Sequence, residues 1–182
     1  YILVAVGAVC VHAASNLLND YFDFRKGVDT LETSGASRGV LVTGRMTPRE
    51  VLIEALVFWV LAAVLAVYFL IVVGNCLLPL IIGGLILGAG YTAAPTAFKY
   101  RAMGDLTVFL AFGVGVTTGG FMVQSGHFSW IAVAYSLPLA LLTCAILHAN
   151  NLRDLECDRK AGITTLAIMI GPGPSRMLYI MM

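Results

Sequence analysis

Charged residues are missing from two long stretches of this chain, and those gaps draw its outline. No Asp, Glu, Lys or Arg occurs from Ala55 to Phe98, and none from Leu106 to Leu152. A helix crosses a bilayer with about 20 apolar residues, so each stretch is too long for one crossing and suited to two. Gly74-Asn75-Cys76 breaks the first and Gln124-Ser125-Gly126-His127 the second. A further apolar run opens the chain from Tyr1 to Ser15, with no initiator Met and no basic region of a signal peptide. The pattern predicts spans near residues 1–20, 52–73, 77–97, 105–123 and 129–150, with another beginning at 174–182. Between the first two lies a polar loop, Phe24 to Glu50, punctuated by Gly27, Gly35, Gly39, Gly44 and Pro48. Thr47 followed by Pro48 reads as N-cap and first helical residue of the second span. The fold class expected is all-α, a multi-spanning transmembrane helical bundle in one domain over residues 1–182, incomplete at both ends.

Composition agrees. Apolar residues make up 59% of the chain and charged ones 12%, with a mean hydropathy of +0.91, more than a water-soluble core can hide. The net charge of +1 matters less than its placement. Every cation lies in one of four places: the loop from Arg25 to Arg49, the Lys99–Arg101 turn, the segment Arg153–Lys160, or at Arg176. The breaks at Gly74 and Gln124 carry none, which by the positive-inside rule puts the charged loops together on the cytoplasmic or equivalent side. This is the pattern of an integral multi-pass protein bathed in membrane lipid, and it leaves open a bacterial plasma membrane or a eukaryotic organelle. No basic face stands clear of acidic residues, so nucleic-acid binding is not expected. Cys10, Cys76, Cys144 and Cys157 lie far apart and suggest neither a zinc site nor a disulfide framework.

Two polar clusters stand where apolar helices run out. In the first, Asn16-Leu-Leu-Asn19-Asp20-Tyr-Phe-Asp23, helical spacing sets Asn16 over Asp20 and Asn19 over Asp23. In the second, Asn150-Asn151-Leu-Arg153-Asp154-Leu-Glu156-Cys-Asp158, it sets Asn150, Asp154 and Asp158 in one row and turns Glu156 away. Two acidic rows facing each other repel unless a cation sits between them. Mg²⁺ takes carboxylate and amide oxygens while leaving positions free for phosphate, so the pair predicts a metal-bridged diphosphate site. Ionised groups inside helix ends cost free energy in a bilayer, which argues for use rather than accident. His12, one turn before Asn16, reads first as a helix-packing residue. Gly83, Gly84, Gly88 and Gly90 read first as small residues for tight helix contact.

Three motifs in order carry a resemblance: Asn19-Asp20-x-x-Asp23, then Tyr91 with Lys99-x-Arg101 and Gly104-Asp105, then Asn150-Asn151-x-Arg153-Asp154-x-x-x-Asp158-x-x-x-Gly162-x-x-Thr165. Together they resemble the UbiA superfamily of intramembrane prenyltransferases. Asn-Asp-Tyr-Phe-Asp-Phe, Arg38-Gly39-Val-Leu-Val-Thr-Gly44 and His148-Ala-Asn-Asn are most similar to its 1,4-dihydroxy-2-naphthoate polyprenyltransferases. The second half, through Thr164 to Pro172, also resembles the animal enzyme that makes menaquinone-4. The resemblance implies that this chain holds the second to sixth helices and the start of the seventh. It departs at Gly27, where the superfamily's broad motif has a third acid; Asp29 follows two residues later, and its role stays open.

What the resemblance implies is Mg²⁺-dependent transfer of a polyprenyl group from its diphosphate to 1,4-dihydroxy-2-naphthoate, with loss of the ring carboxylate. Asp23, Asp154 and Asp158 are expected to hold the metal, aided by Asn19 and, less firmly, Asp20. Lys99, Arg101 and Arg153 are expected on the phosphates. Tyr91 is placed to shield the allylic cation. Asn16, Asn150, Asn151 and His148 complete the substrate-binding set. Alternatives are another aromatic acceptor (menadiol, homogentisate or 4-hydroxybenzoate) and an inactive paralogue serving as subunit or lipid scaffold of a membrane assembly.

Overall fold

The computed structural model describes residues 1–30, 39–93 and 95–182; Gly35 and Arg38 of the first loop and Ala94 of the Tyr91 turn lie outside them. The described residues form an all-helical bundle. Helix α1 spans Ile2–Arg25, α2 Pro48–Val73 and α3 Leu78–Gly90, entered by a 3₁₀ turn at Asn75–Leu77. A short α4, Gly104–Val108, runs through a π-helical segment, Phe109–Gly115, into α5, Val116–Ser125. Helix α6 covers Trp130–Arg153, and three short helices follow: α7 Leu155–Lys160, α8 Leu166–Ile170 and α9 Pro172–Met181.

Four helical stretches are long and apolar enough to cross a membrane: Ile2–Arg25, Pro48–Val73, Gly104–Ser125 and Trp130–Arg153. Their outer faces carry the large apolar side chains a bilayer accepts, such as Ile53, Leu56, Val57, Val60 and Ile71 of α2 and Tyr135, Leu142 and Ile146 of α6. The interior is built from small residues instead: Ala14, Ala55, Ala140 and Ala167 are fully buried. That is how helices associate where no hydrophobic effect separates them from the lipid.

The expected start of α2 is present in full. Thr47 Oγ1 accepts from Glu50 N (3.3 Å) while Glu50 Oε2 accepts from Thr47 N (2.7 Å), with Pro48 in the first turn. The third span is shorter than its apolar run. The helix ends at Gly90 rather than near residue 97, because Thr96 Oγ1 folds back to donate to the Gly90 carbonyl (3.0 Å). A Cβ on Gly90 would lie 2.7 Å from that hydroxyl. Of the four glycines expected to pack tightly, Gly90 and Gly88 do, a Cβ at Gly88 lying 3.2 Å from the Trp59 ring. Gly83 and Gly84 have open space around them, whereas a Cβ at Gly113 would lie 2.3 Å from the Cα and Cβ of Ala140. Gly113 belongs to the π-helical segment, so a residue without a side chain sits where that segment lies directly on the α6 backbone.

The two ends of the bundle differ. At one, the breaks predicted at Gly74 and Gln124 meet: Cys76 Sγ lies 3.9 Å from the Gly126 carbonyl oxygen. At the other, the C-terminal end of α1, the Lys99 turn and the α6–α7 junction converge, and this is where the charges are.

Candidate active site

Helix α1 does not stop at residue 20 but continues to Arg25, and its end is a Schellman cap. Gly27, at φ +72°, donates its N–H to the Phe24 carbonyl (3.1 Å), and Val28 N donates to the Asp23 carbonyl (2.9 Å). The cap needs a left-handed residue at position 27, which glycine adopts without a Cβ penalty. This gives the departure from the superfamily pattern a physical reason: an acid at that position would carry the strain. Asp29 stands just beyond, half-buried, its carboxyl held above the ordinary range by burial and by Asp23.

Asp23 is buried, and both of its oxygens are engaged. Lys99 Nζ forms an ion pair with Oδ2, and the Tyr100 hydroxyl donates to Oδ1. Lys99 also donates to Asn19 Oδ1 at 2.9 Å. Lys26 closes the group from outside: its ammonium lies 4.0 Å from the centre of the Tyr100 ring and donates to the Thr92 carbonyl (3.2 Å). Burial and the adjacent Asp23 keep the Tyr100 phenol protonated well past its ordinary range. Tyr100 and Lys26 were not among the expected site residues. Their partners are far away in sequence, and nothing in their local pattern marks them.

The turn that presents Lys99 is held from two sides. Lys99 N donates to the Tyr91 carbonyl (2.9 Å), and Ala102 N donates to the Thr164 carbonyl (2.7 Å), where Arg101 and Thr164 form a parallel bridge. Ala97 (φ 44°) and Ala102 (φ 57°) both take left-handed conformations on either side of the lysine. Such backbone strain at two alanines persists only where the surroundings over-determine the turn. The half-buried Tyr91 ring packs on Gly104, at the start of α4.

The second cluster is not the straight row the spacing predicts. Helix α6 ends at Arg153, Asp154 takes φ −95° and ψ 10°, and α7 begins at Leu155. Asp154 N still donates to the Asn150 carbonyl and Asp158 N to the Asp154 carbonyl, both at 2.9 Å, so the chain kinks without losing its direction. Arg153 wraps onto its neighbour, Nε donating to Asp154 Oδ1 at 2.8 Å, on an exposed edge. Asn150 and Arg101 are exposed. Asp158 is half-buried, and its carboxylate makes no hydrogen bond or ion pair with the described residues. Its carboxyl is pushed up to about 6, first by burial and then by Asp154, Asp23 and Asp29, with Lys99 opposing. Asp158 thus senses the charges of both the α1 end and the Lys99 turn, and the two acidic signatures share one electrostatic neighbourhood.

His148 and Asn151 are engaged by Asp105 rather than left free. His148 is fully buried, Nδ1 at 3.3 Å from Asp105 Oδ2 and Nε2 at 3.2 Å from the Ser175 carbonyl; Asn151 Nδ2 donates to Asp105 Oδ1 at 3.4 Å. Asp105, without an assigned role in the sequence reading, is the hub that ties α4, α6 and α9 together. Both imidazole nitrogens of His148 are taken, so its position is that of a structural tie between helices.

Among the described residues no three His, Cys, Asp or Glu side chains stand close enough to hold a metal unaided. The donor set still suits Mg²⁺, which binds through one or two carboxylates with the remaining positions on water and phosphate. Asp158, half-buried, unpartnered and repelled by three other carboxylates, is the kind of group that a divalent cation relieves.

The profile of the UbiA prenyltransferase family matches residues 1–182. UbiA prenyltransferase domain-containing protein 1 of Rattus norvegicus is 40% identical over 177 residues, covering 96% of this chain and 52% of the relative. The human protein of the same name is 39% identical over 177 residues with the same coverage. The Drosophila melanogaster homolog is 41% identical over 189 residues, covering 100% of this chain and 50% of the relative. The chain spans about half the length of the curated relatives it matches. With the all-helical bundle, the membrane-length spans and the converging acidic ends, these matches show that the chain belongs to the UbiA prenyltransferase family.

Proposed function

We propose that the protein of which this chain forms part transfers a polyprenyl group from its allylic diphosphate to an aromatic acceptor, 1,4-dihydroxy-2-naphthoate, with Mg²⁺. The observation that carries this reading is the meeting of Lys99, Asp23 and Asn19 at one end of an apolar bundle, with the Asp158 carboxyl perturbed by the charges of Lys99 and Asp23. Bound Mg²⁺ would neutralise the charge that builds on the departing diphosphate. Asp158 and Asp154 from the late signature, with Asp23, Asn19 and Asp20 from the early one, are the residues proposed to hold it.

Lys99 has two roles in this proposal. Without substrate it satisfies Asp23. When diphosphate enters, its ammonium turns to a phosphate oxygen and leaves a carboxylate free for the metal, while Tyr100 keeps Asp23 oriented through its hydroxyl. Arg101 and Arg153 stand exposed at the rim, where their guanidinium groups reach non-bridging oxygens by paired hydrogen bonds. The Tyr91 ring is proposed to face the allylic cation, and the small-residue interior keeps water from capturing it. The apolar outer faces let a polyprenyl tail lie in lipid while its head is held.

Incubating membranes containing the full-length protein with a polyprenyl diphosphate, the acceptor and Mg²⁺ tests the reading; prenylated, decarboxylated product is expected. A second acceptor, menadiol, is favoured by the resemblance of the second half of the chain, through Thr164 to Pro172, to the menaquinone-4-forming enzyme. Competition between the two acceptors in that assay separates them.

A further inference from the structure

One buried titratable group takes no part in the transfer proposed above: His148 of α6, held between Asp105 of α4 and Ser175 of α9. The imidazole and the carboxylate are both buried. The hydrogens of the ring follow from its partners. Nε2 lies 3.2 Å from the Ser175 carbonyl oxygen, which only accepts, so Nε2 carries a hydrogen. Nδ1 lies 3.3 Å from Asp105 Oδ2, and a bare nitrogen facing a carboxylate would oppose two lone pairs in the interior. One further proton therefore sits between those two atoms.

Two observations put that proton on the nitrogen. Asp105 Oδ1 accepts a second hydrogen bond, from Asn151 Nδ2 at 3.4 Å, and bonds donated to a carboxylate favour its ionised form. Asp105 also stands in the first turn of a helical stretch that runs to Ser125, where backbone N–H groups favour negative charge. The other titratable groups at hand are Tyr91, whose phenol feels the charges of Asp105 and Asp23 alike, and Cys144, whose Sγ lies 3.5 Å from the Asp105 backbone carbonyl oxygen. Neither can supply a cation, so among the described residues His148 is the group that balances the carboxylate. An ionised Asp105 then settles the Asn151 amide. A carboxylate cannot donate, so Nδ2 must turn to it, and Oδ1, without a partner among the described residues, is left as the free end.

We infer that His148 is an imidazolium paired with the Asp105 carboxylate, and that this ion pair is a positioning device which fixes the Asn151 amide so that the late signature presents an oxygen. A hydrated Mg²⁺ keeps several waters, and their hydrogens need acceptors of this kind. Without the charge on Asp105 the amide is free to flip and to present its N–H groups instead. The role given to Asn151 rests on the prenyl-transfer reading; the charge state of His148 does not.

Nitrogen-15 NMR of the full-length protein labelled at histidine tests the charge state without turnover. At neutral pH a histidine with hydrogens on both ring nitrogens is expected, and His148→Gln is expected to remove its signal. No such histidine in the wild type, or an unchanged set of such signals in His148→Gln, overturns the ion pair. Asp105→Asn keeps the shape and removes the charge. It is expected to take the second ring hydrogen from His148 and to weaken binding of a polyprenyl thiodiphosphate with Mg²⁺ about tenfold, as changes behind a metal site do. Asn151→Ala is expected to weaken binding to a similar degree, and the double variant no further, because one residue acts through the other. Additive losses, which a merely structural tie would give, overturn the positioning role, as does wild-type affinity in Asp105→Asn. If Asp105→Asn does not fold, His148→Gln replaces it in the same cycle, and the wild-type spectrum needs no variant. An imidazolium at His148 alongside no product in the membrane assay removes the transfer reading and leaves the ion pair standing.

Discussion

Asp23 and Asp158 occupy the same station in two copies of one local design. Each sits at the end of a helix whose cap is a left-handed glycine four residues later, Gly27 at φ +72° and Gly162 at φ +73°. In each the carbonyl of the aspartate accepts the N–H five residues on, from Val28 and from Ile163, at 2.9 Å. The side chains then part ways. Asp23 is buried and fully partnered by Lys99 and Tyr100, whereas Asp158 is half-buried, without a hydrogen-bond partner among the described residues and pushed up to about 6. One local design therefore yields an anchor at one signature and a charge awaiting a ligand at the other. Buried charges without partners are expensive, so the second arrangement makes sense where a cation arrives with the substrate.

Changing the two aspartates separates these roles. Asp23→Ala should cost turnover about a thousandfold, or about 4 kcal/mol. It should also lower folding stability by about 3 kcal/mol, since Lys99 loses its partner in a mostly buried pair. Asp158→Asn should lower turnover about a hundredfold, with thermal stability in detergent equal to or above wild type. Steady-state kinetics and melting curves on both variants check this, and equal stability losses would erase the distinction.

Acidity sharpens it further. The folded chain binds the Asp158 proton more tightly than the unfolded chain does. Its contribution to stability is therefore full below the ordinary carboxylate range and is lost as pH rises to about 6. Cation binding needs the carboxylate and runs the opposite way. The Mg²⁺ concentration for half-maximal activity should therefore fall, on the order of tenfold, as pH is raised through about 6. Asp158→Asn should flatten that slope.

The smallest effect belongs to what the two stations share. Gly27→Ala and Gly162→Ala should each cost about 1 kcal/mol, the strain of a left-handed alanine, because a Cβ meets no atom within 4 Å at either place. Matched melting-point shifts are expected; a shift confined to one variant would deny that the caps are equivalent.

Much of this was legible along the chain because it is local. The charge-free runs marked the spans, Thr47 and Pro48 marked the start of α2, and helical spacing put Asn19 and Asp23 on one face. What escaped was set by contacts across the fold. Tyr100 reaches Asp23 over 77 residues and Asp105 reaches His148 over 43, and no periodicity reports such pairs. The kink at Asp154 and the π-helical turn at Phe109–Gly115 likewise carry no mark in a hydropathy pattern. Gly27 was visible as a departure from the superfamily motif, but only its positive φ explains why an acid is absent there.

The central claim is that early and late signatures hold one metal–diphosphate unit. Mn²⁺ in place of Mg²⁺, titrated by electron paramagnetic resonance into the full-length protein with a polyprenyl thiodiphosphate, measures this directly. Phosphorus coupling on the bound ion is expected in wild type, with affinity lowered at least about tenfold by Asp23→Asn and by Asp158→Asn alike. Wild-type affinity in either variant would contradict a shared site.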